Sequence, residues 1–120
     1  MIKKVAFTMY PVENIDRARN FYEHTLNLRP GTVSPTGKWV EYDLPGGWCF
    51  AITTYAEGVR PSANAGGSVA FEVEDLDSLV SELKSKDVKF RMDIIQTPVC
   101  RMAGILDSEG NALILHQSTN

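Results

Sequence analysis

The sequence predicts an α+β fold made of two βαβββ modules, on three observations. The stretch Val12-Glu13-Asn14-Ile15-Asp16 resembles Val73-Glu74-Asp75-Leu76-Asp77, which lies 61 positions further on. Gly47-Trp48-Cys49-Phe50-Ala51-Ile52 has a counterpart 63 positions later in Gly110-Asn111-Ala112-Leu113-Ile114-Leu115. Two offsets that nearly agree are what duplicated modules with slightly different loops produce. Third, both halves run through the same order of patterns: one strand, one helix, three strands. The 120 residues fit a single domain. Module one covers about 1–55, a connecting segment about 56–67, and module two about 68–120.

The first strand is expected over 3–10, a run rich in β-formers. Asn14 follows as a helix N-cap, with Asp16 placed in the first turn where a carboxylate favours the helix dipole. Ile15, Ala18, Tyr22 and Leu26 form a helical stripe with Phe21 beside it, and Pro30-Gly31 is expected to stop the helix. Strands follow at 31–34, 38–44 and 48–54, separated by Pro35-Thr36-Gly37 and Pro45-Gly46-Gly47. The connecting segment carries Gly58, Pro61, Ala63, Gly66 and Gly67. Such a loop spans between modules and is suited to act as a lid.

Module two opens with a strand at 68–73. Asp75 caps a helix whose apolar residues Leu76, Leu79, Val80 and Leu83 fall at i, i+3, i+4 and i+7. Strands are expected at 88–92, 100–106 and 111–117, the last two joined by the turn Asp107-Ser108-Glu109-Gly110-Asn111.

Alternation along the strands sorts their faces. Val69, Phe71 and Val73 oppose Ser68, Ala70 and Glu72. Leu113 and Leu115 oppose Ala112, Ile114 and His116, and Trp48, Phe50 and Ile52 oppose Cys49, Ala51 and Thr53. The large apolar face of each strand is expected to pack on a helix. The other face mixes small, polar and apolar groups, which suits the lining of a cavity.

Composition narrows the function. A net charge of −3 and no Lys/Arg run exclude nucleic-acid binding by bulk positive charge. No apolar stretch reaches the roughly 20 residues of a membrane helix. The start MIKKVAFTMYPV is broken by Thr8 and Pro11 and lacks a small-residue cleavage site, so no secretory signal is expected. Two cysteines, Cys49 and Cys100, are too few for a disulfide framework, and a single bridge between them stays open. The cytoplasm is the expected compartment.

The stretch VAFTMYPVENIDRARNFYEHTLNL, with GSVAFEVEDLDSLVSELKSKDVKF repeating its Val12 motif 61 positions on and the closing ILDSEGNALIL, resembles the vicinal-oxygen-chelate superfamily. That superfamily includes glyoxalases, extradiol dioxygenases and bleomycin- and fosfomycin-resistance proteins. Arg17-Ala18 through Phe21-Tyr22 and the Asp107–Asn111 turn carry the resemblance most specifically. It implies paired modules whose mixed sheets curl around a cleft, commonly in a homodimer, and in metal-using members one divalent ion held by His, Gln or Glu. The resemblance puts the ligand positions in the first and closing strand of each module. Seven residues before each helix cap they are Phe7 and Ser68, and four residues after the turn glycine they are Ala51 and Ile114.

Divalent ions need oxygen, nitrogen or sulfur donors. Phe7, Ala51 and Ile114 supply none, and Ser68 is a poor neutral ligand. No metal and no cofactor are therefore expected. What the pattern offers is a small-molecule site lined by Phe7, Met9, Ala51, Thr53, Ser68, Ala70 and Ile114. Its ligand is expected to be largely apolar or aromatic. A second class stays open: a glyoxalase-type lyase, isomerase or dioxygenase, for which only the resemblance speaks. A module that has lost its site is a third.

Glu72 and His116 are the candidate catalytic pair. Both fall on the mixed face, and if their strands are parallel neighbours the two approach as a general base. The plain alternative is two strand-end residues in water. His24 falls off the helical stripe and is expected on the surface. Cys49 and Cys100 are expected as structural thiols, since nothing local lowers their pKa. Arg91 and Arg101 are candidate rim contacts to a ligand carboxylate. Glu41 and Asp43 share one side of a strand and are expected to face solvent.

Overall fold

The computed structural model describes every residue except Ile2, Lys4, Glu57 and Asn120. Two compact units divide the chain, Met1–Pro61 and Ser62–Asn120. Each holds a four-stranded mixed sheet with its helical segment on one face.

In the first unit β1 (Thr8–Pro11) leads to α1 (Ile15–Asn20), a π-helical turn (Phe21–Thr25), then β2 (Pro30–Val33), β3 (Trp39–Asp43) and β4 (Cys49–Thr53). The sheet order is β1-β4-β3-β2, with β1 parallel to β4 and the other pairs antiparallel. Asn14 caps α1 by accepting from the Arg17 N–H at 2.9 Å. The core face joins Ala18 and Tyr22 from the helical segment to Val40, Tyr42, Phe50 and Ile52, all essentially sealed from water. Tyr22 packs against Phe50 with ring centroids 5.1 Å apart. Within this layer Tyr42 donates its hydroxyl to Glu23 at 2.9 Å, and Arg19 grips the same carboxylate at 2.7 Å.

The second unit repeats the order: β5 (Val69–Glu72), α2 (Leu76–Ser85), β6 (Phe90–Gln96), β7 (Cys100–Leu106) and β8 (Ala112–Ser118). Its sheet runs β5-β8-β7-β6, with β5 parallel to β8. Asp75 caps α2, accepting from the Ser78 N–H at 3.1 Å, and the Gln117 side chain accepts from the Leu76 N–H at 2.8 Å. Leu76, Val80 and Leu83 press on the face that carries Ala103, Ile105, Leu113 and Leu115. The turn before β8 is built by Asp107, whose Oδ1 accepts from the N–H groups of Glu109 and Asn111, both at 2.8 Å. Gly110 at φ +90 supplies the left-handed step this turn requires.

Four expectations need correction. The first strand does not fill 3–10, of which Lys4 lies outside the described residues; the ladder begins at Thr8, opposite Phe50, and its partner β4 extends only one residue further back. Phe7 therefore precedes the strand. Pro30-Gly31 does not stop the first helix. The Leu26 N–H reaches Phe21 O at 2.9 Å, a π-type bond, and Asn27 at φ +61 ends the helical path, leaving Pro30 to open β2. Trp48 does not join Phe50 and Ile52 in the core. It sits beside the turn made by Gly47 at φ +91, outside the strand, and is 51% exposed. Finally, β6 is longer and later than 88–92, because its irregular ladder with β7 continues out to Gln96 opposite Arg101.

Candidate functional site

In each sheet the face away from the helix carries candidate residues: Met9 and Ala51 on the first, Ala70, Glu72, Ile114 and His116 on the second. Register fixes their neighbours. On the first sheet Met9 of β1 pairs with Ala51 of β4, and Ala51 pairs with Glu41 of β3. Phe7 is 45% exposed and meets Trp39 edge-to-face at 5.2 Å. Trp39 in turn donates its indole N–H to Glu41 at 2.8 Å. Glu41 thus stands beside the candidate binding residues with one carboxylate oxygen engaged, and is half-buried, while Asp43 is exposed. Thr53 is fully buried. Its hydroxyl donates to Lys38 O at 2.8 Å and accepts from the Tyr55 N–H at 2.9 Å.

A cavity of about 460 Å³ opens at the C-terminal end of β1 and β4. Pro11, Val12 and Glu13 line it together with Thr53 and Thr54, and Ala56, Val59, Arg60 and Pro61 of the connecting segment complete the lining. Of the candidate binding residues, only Thr53 lines it. The connecting segment's contribution from 59–61 has no periodic signal in the sequence, since an irregular loop leaves none.

On the second sheet three rungs cross the strands. Ala70 of β5 stands beside Ile114 of β8, which stands beside Gly104 of β7. One rung on, Glu72 is beside His116 and His116 beside Met102. Ala112 opposes Leu106 on the rung before, and Ser68 lies just ahead of β5, exposed. Met102 and Gly104 were not singled out by sequence reasoning. The signal was there in the alternation of β7, but only its pairing with β8 places them next to Ile114 and His116.

Parallel pairing brings the candidate catalytic pair together: His116 Nδ1 lies 2.6 Å from Glu72 Oε1. A carboxylate only accepts, so Nδ1 carries the hydrogen and neutral imidazole presents Nε2 as an acceptor. The second carboxylate oxygen accepts from the Ser118 N–H at 2.9 Å. That backbone bond first, and the His116 bond second, hold the Glu72 carboxyl below its usual range. The pair is also open to water, with His116 a third exposed and Glu72 more so.

Several candidates are committed elsewhere. Arg101 forms a two-pronged pair with Asp77 at 2.8 and 2.9 Å, and Arg91 donates to Ala63 O at 3.0 Å. Cys49 and Cys100 are both free thiols. Burial first, then Glu41 and Asp43, push the Cys49 thiol up. Cys100 is buried, with Thr97 Oγ1 3.2 Å from its sulfur. His24 is exposed.

A two-unit βαβββ architecture with a helix-free face on each sheet defines a class, and the sequence comparison agrees. The model of the Glyoxalase/Bleomycin resistance protein/Dioxygenase superfamily matches residues 4–115, and the chain belongs to that superfamily. No curated protein matches the sequence. Among solved structures it is similar to a glyoxalase/dioxygenase from Nostoc punctiforme, with 18% identity, 98% of this chain and 92% of that one covered, and a TM-score of 0.80. TnmS3, an antibiotic binding protein from Streptomyces sp. CB03234, superposes with 20% identity, 98% of both chains and a TM-score of 0.82. FosX, a fosfomycin resistance protein from Listeria monocytogenes, gives 15% identity, 99% and 96% coverage and a TM-score of 0.75.

The sequence resemblance implies metal donors at the positions held here by Phe7 and Ala51 in the first unit and by Ser68 and Ile114 in the second. One hydroxyl among four side chains does not fit that requirement. Among the described residues, no group of three or more His, Cys, Asp or Glu side chains is arranged to hold an ion.

Proposed function

We propose that this chain is a small-molecule-binding protein whose ligand is largely apolar or aromatic and is held without a metal. The observation that carries this reading is the chemistry of Phe7, Ala51, Ser68 and Ile114, at positions where metal-using relatives carry ligands. The helix-free faces support it. They mix small side chains, which leave room, with Met9, Trp39, Met102 and Ile114, which give a ligand apolar contact. Polar anchors are few, as ligand sites of this kind require. Two structural neighbours, one an antibiotic binding protein and one a fosfomycin resistance protein, fit small-molecule capture. The setting proposed with it is a cytoplasmic homodimer, which rests on the family and is tested by light scattering.

Thermal-shift screening of a panel of aromatic and apolar compounds tests the reading, run with and without a chelator. The expected result is stabilisation by some aromatic compounds, unchanged by chelator, since a ligand that binds only the folded state raises its stability by mass action. Stabilisation that disappears on chelation would contradict it.

One observation favours a second reading, an enzyme of the glyoxalase type acting as a lyase, isomerase or dioxygenase. The Glu72–His116 pair has the geometry of an oriented general base. Turnover of the methylglyoxal–glutathione adduct, lost in His116→Ala, would establish it.

A further inference from the structure

We propose that the helix-free face of the β5-β8-β7 sheet selects ligands that carry an acidic hydroxyl, a phenol or an enol, on a flat apolar body, with that hydroxyl donating to Nε2 of His116. This rests on the reading above that the chain binds an apolar or aromatic molecule, and names the polar group that molecule carries.

Glu72 is tied at both oxygens, to Ser118 N–H at 2.9 Å and to His116 Nδ1 at 2.6 Å. Imidazole held by such a carboxylate has its tautomer set and its ring direction set. Nε2 is then an acceptor without a partner among the described residues, on a side chain that is a third exposed. An acceptor in that state recognises donors.

The floor around it decides which donors. Next to His116 on its rung is Met102, and the adjacent rung reads Ala70, Ile114, Gly104. Gly104 is buried against Met92, but Ala70 on the other side is exposed and small, so a flat ring can lie over Ala70 and Ile114 with its edge toward the imidazole. An ammonium donor would bring a charge onto that apolar floor, which is costly to desolvate. A neutral hydroxyl avoids this cost. Among hydroxyls, the more acidic is the stronger donor.

The test compares 2-naphthol with 2-methoxynaphthalene, which keeps the ring and loses the donor. Both are titrated into the full-length, isotope-labelled protein and followed by NMR. Amides of Ala70, Met102 and Ile114 are expected to shift with either compound. 2-Naphthol is expected to bind about tenfold more tightly, the ratio an ordinary hydrogen bond supplies. His116→Phe is expected to bring the two affinities together, and Glu72→Gln to reduce the gap between them. In the unmodified protein, the His116 Nε2 resonance should move with 2-naphthol alone. Equal affinities, or a preference that survives His116→Phe, would overturn the inference while leaving apolar binding intact. Binding of neither compound would overturn the underlying reading along with it.

Discussion

Ala70 on β5 and Ile114 on β8 stand side by side as register partners, one rung from Glu72 and His116. Neither residue can donate or accept through its side chain, so this part of the sheet can hold a ligand only by shape and dispersion. Ala70 is exposed and Ile114 half-buried. A large side chain at position 70 should therefore occupy the space over Ile114 without disturbing the core. Ala70→Trp is expected to abolish binding of aromatic ligands while changing unfolding free energy by less than about 0.5 kcal/mol, as surface substitutions do. Calorimetric titration beside denaturant unfolding checks both halves of that statement. Undiminished affinity would move the site elsewhere.

The Tyr42 hydroxyl offers a prediction on stability. It donates to Glu23 inside the layer between α1 and the first sheet, and both burial and the carboxylate push its own ionisation far upward. Tyr42→Phe removes the donor but keeps the ring, and Glu23 keeps Arg19. The expected cost is about 1 kcal/mol in urea unfolding. A change indistinguishable from zero would mean that water replaces the hydroxyl fully.

Acid sensitivity follows from three carboxylates. Burial raises the Glu23 pKa, but bonds from Arg19 and Tyr42 outweigh it and leave it lowered. Glu72 is lowered by Ser118 and His116, and Asp77 by Arg101. A carboxylate with a folded-state pKa below its unfolded value stabilises above the unfolded value and loses that contribution as pH falls through the folded one. Stability is thus expected to decline below about pH 4. In Glu23→Gln the deficit seen at neutral pH should shrink as the pH drops. A constant deficit across the series would contradict this assignment.

Cys49 should be a slow thiol. Its surroundings disfavour the thiolate, which is the reacting species. Alkylation by iodoacetamide at neutral pH is expected to run several times slower in the folded than in the urea-unfolded protein. Faster reaction in the folded state would contradict the effect of burial, Glu41 and Asp43 on this thiol.

Much of the fold was legible because its signals are local. Asn14 and Asp75 announce their helices by the oxygen they offer to the third N–H along, and Asp107 announces its turn by the oxygen it offers to the second and fourth. The alternation of Leu113 and Leu115 against Ile114 and His116 likewise needs nothing beyond the strand itself. What escaped depends on partners. Nothing around Leu26 says that its N–H reaches back to Phe21 instead of Tyr22, so the π-type bond stayed hidden. Trp48 has the alternation of a core residue, and only the turn at Gly47 puts it outside. The approach of Glu72 to His116 required knowing that β5 and β8 are parallel neighbours, which family resemblance implied and composition did not. Met102 and Gly104 entered the site through the register of β7 with β8, a non-local fact. The cavity beside Val59 and Arg60 comes from an irregular segment that no periodicity describes.

Equilibrium dialysis of the purified chain against Mn²⁺, Zn²⁺, Fe²⁺ and Ni²⁺, followed by elemental analysis, tests the central claim most directly. Phe7, Ala51, Ser68 and Ile114 provide no donor set, so metal content far below one ion per chain is the expected result, with aromatic ligand binding unaffected. One tightly bound ion per chain, lost together with ligand affinity on chelation, would contradict the account.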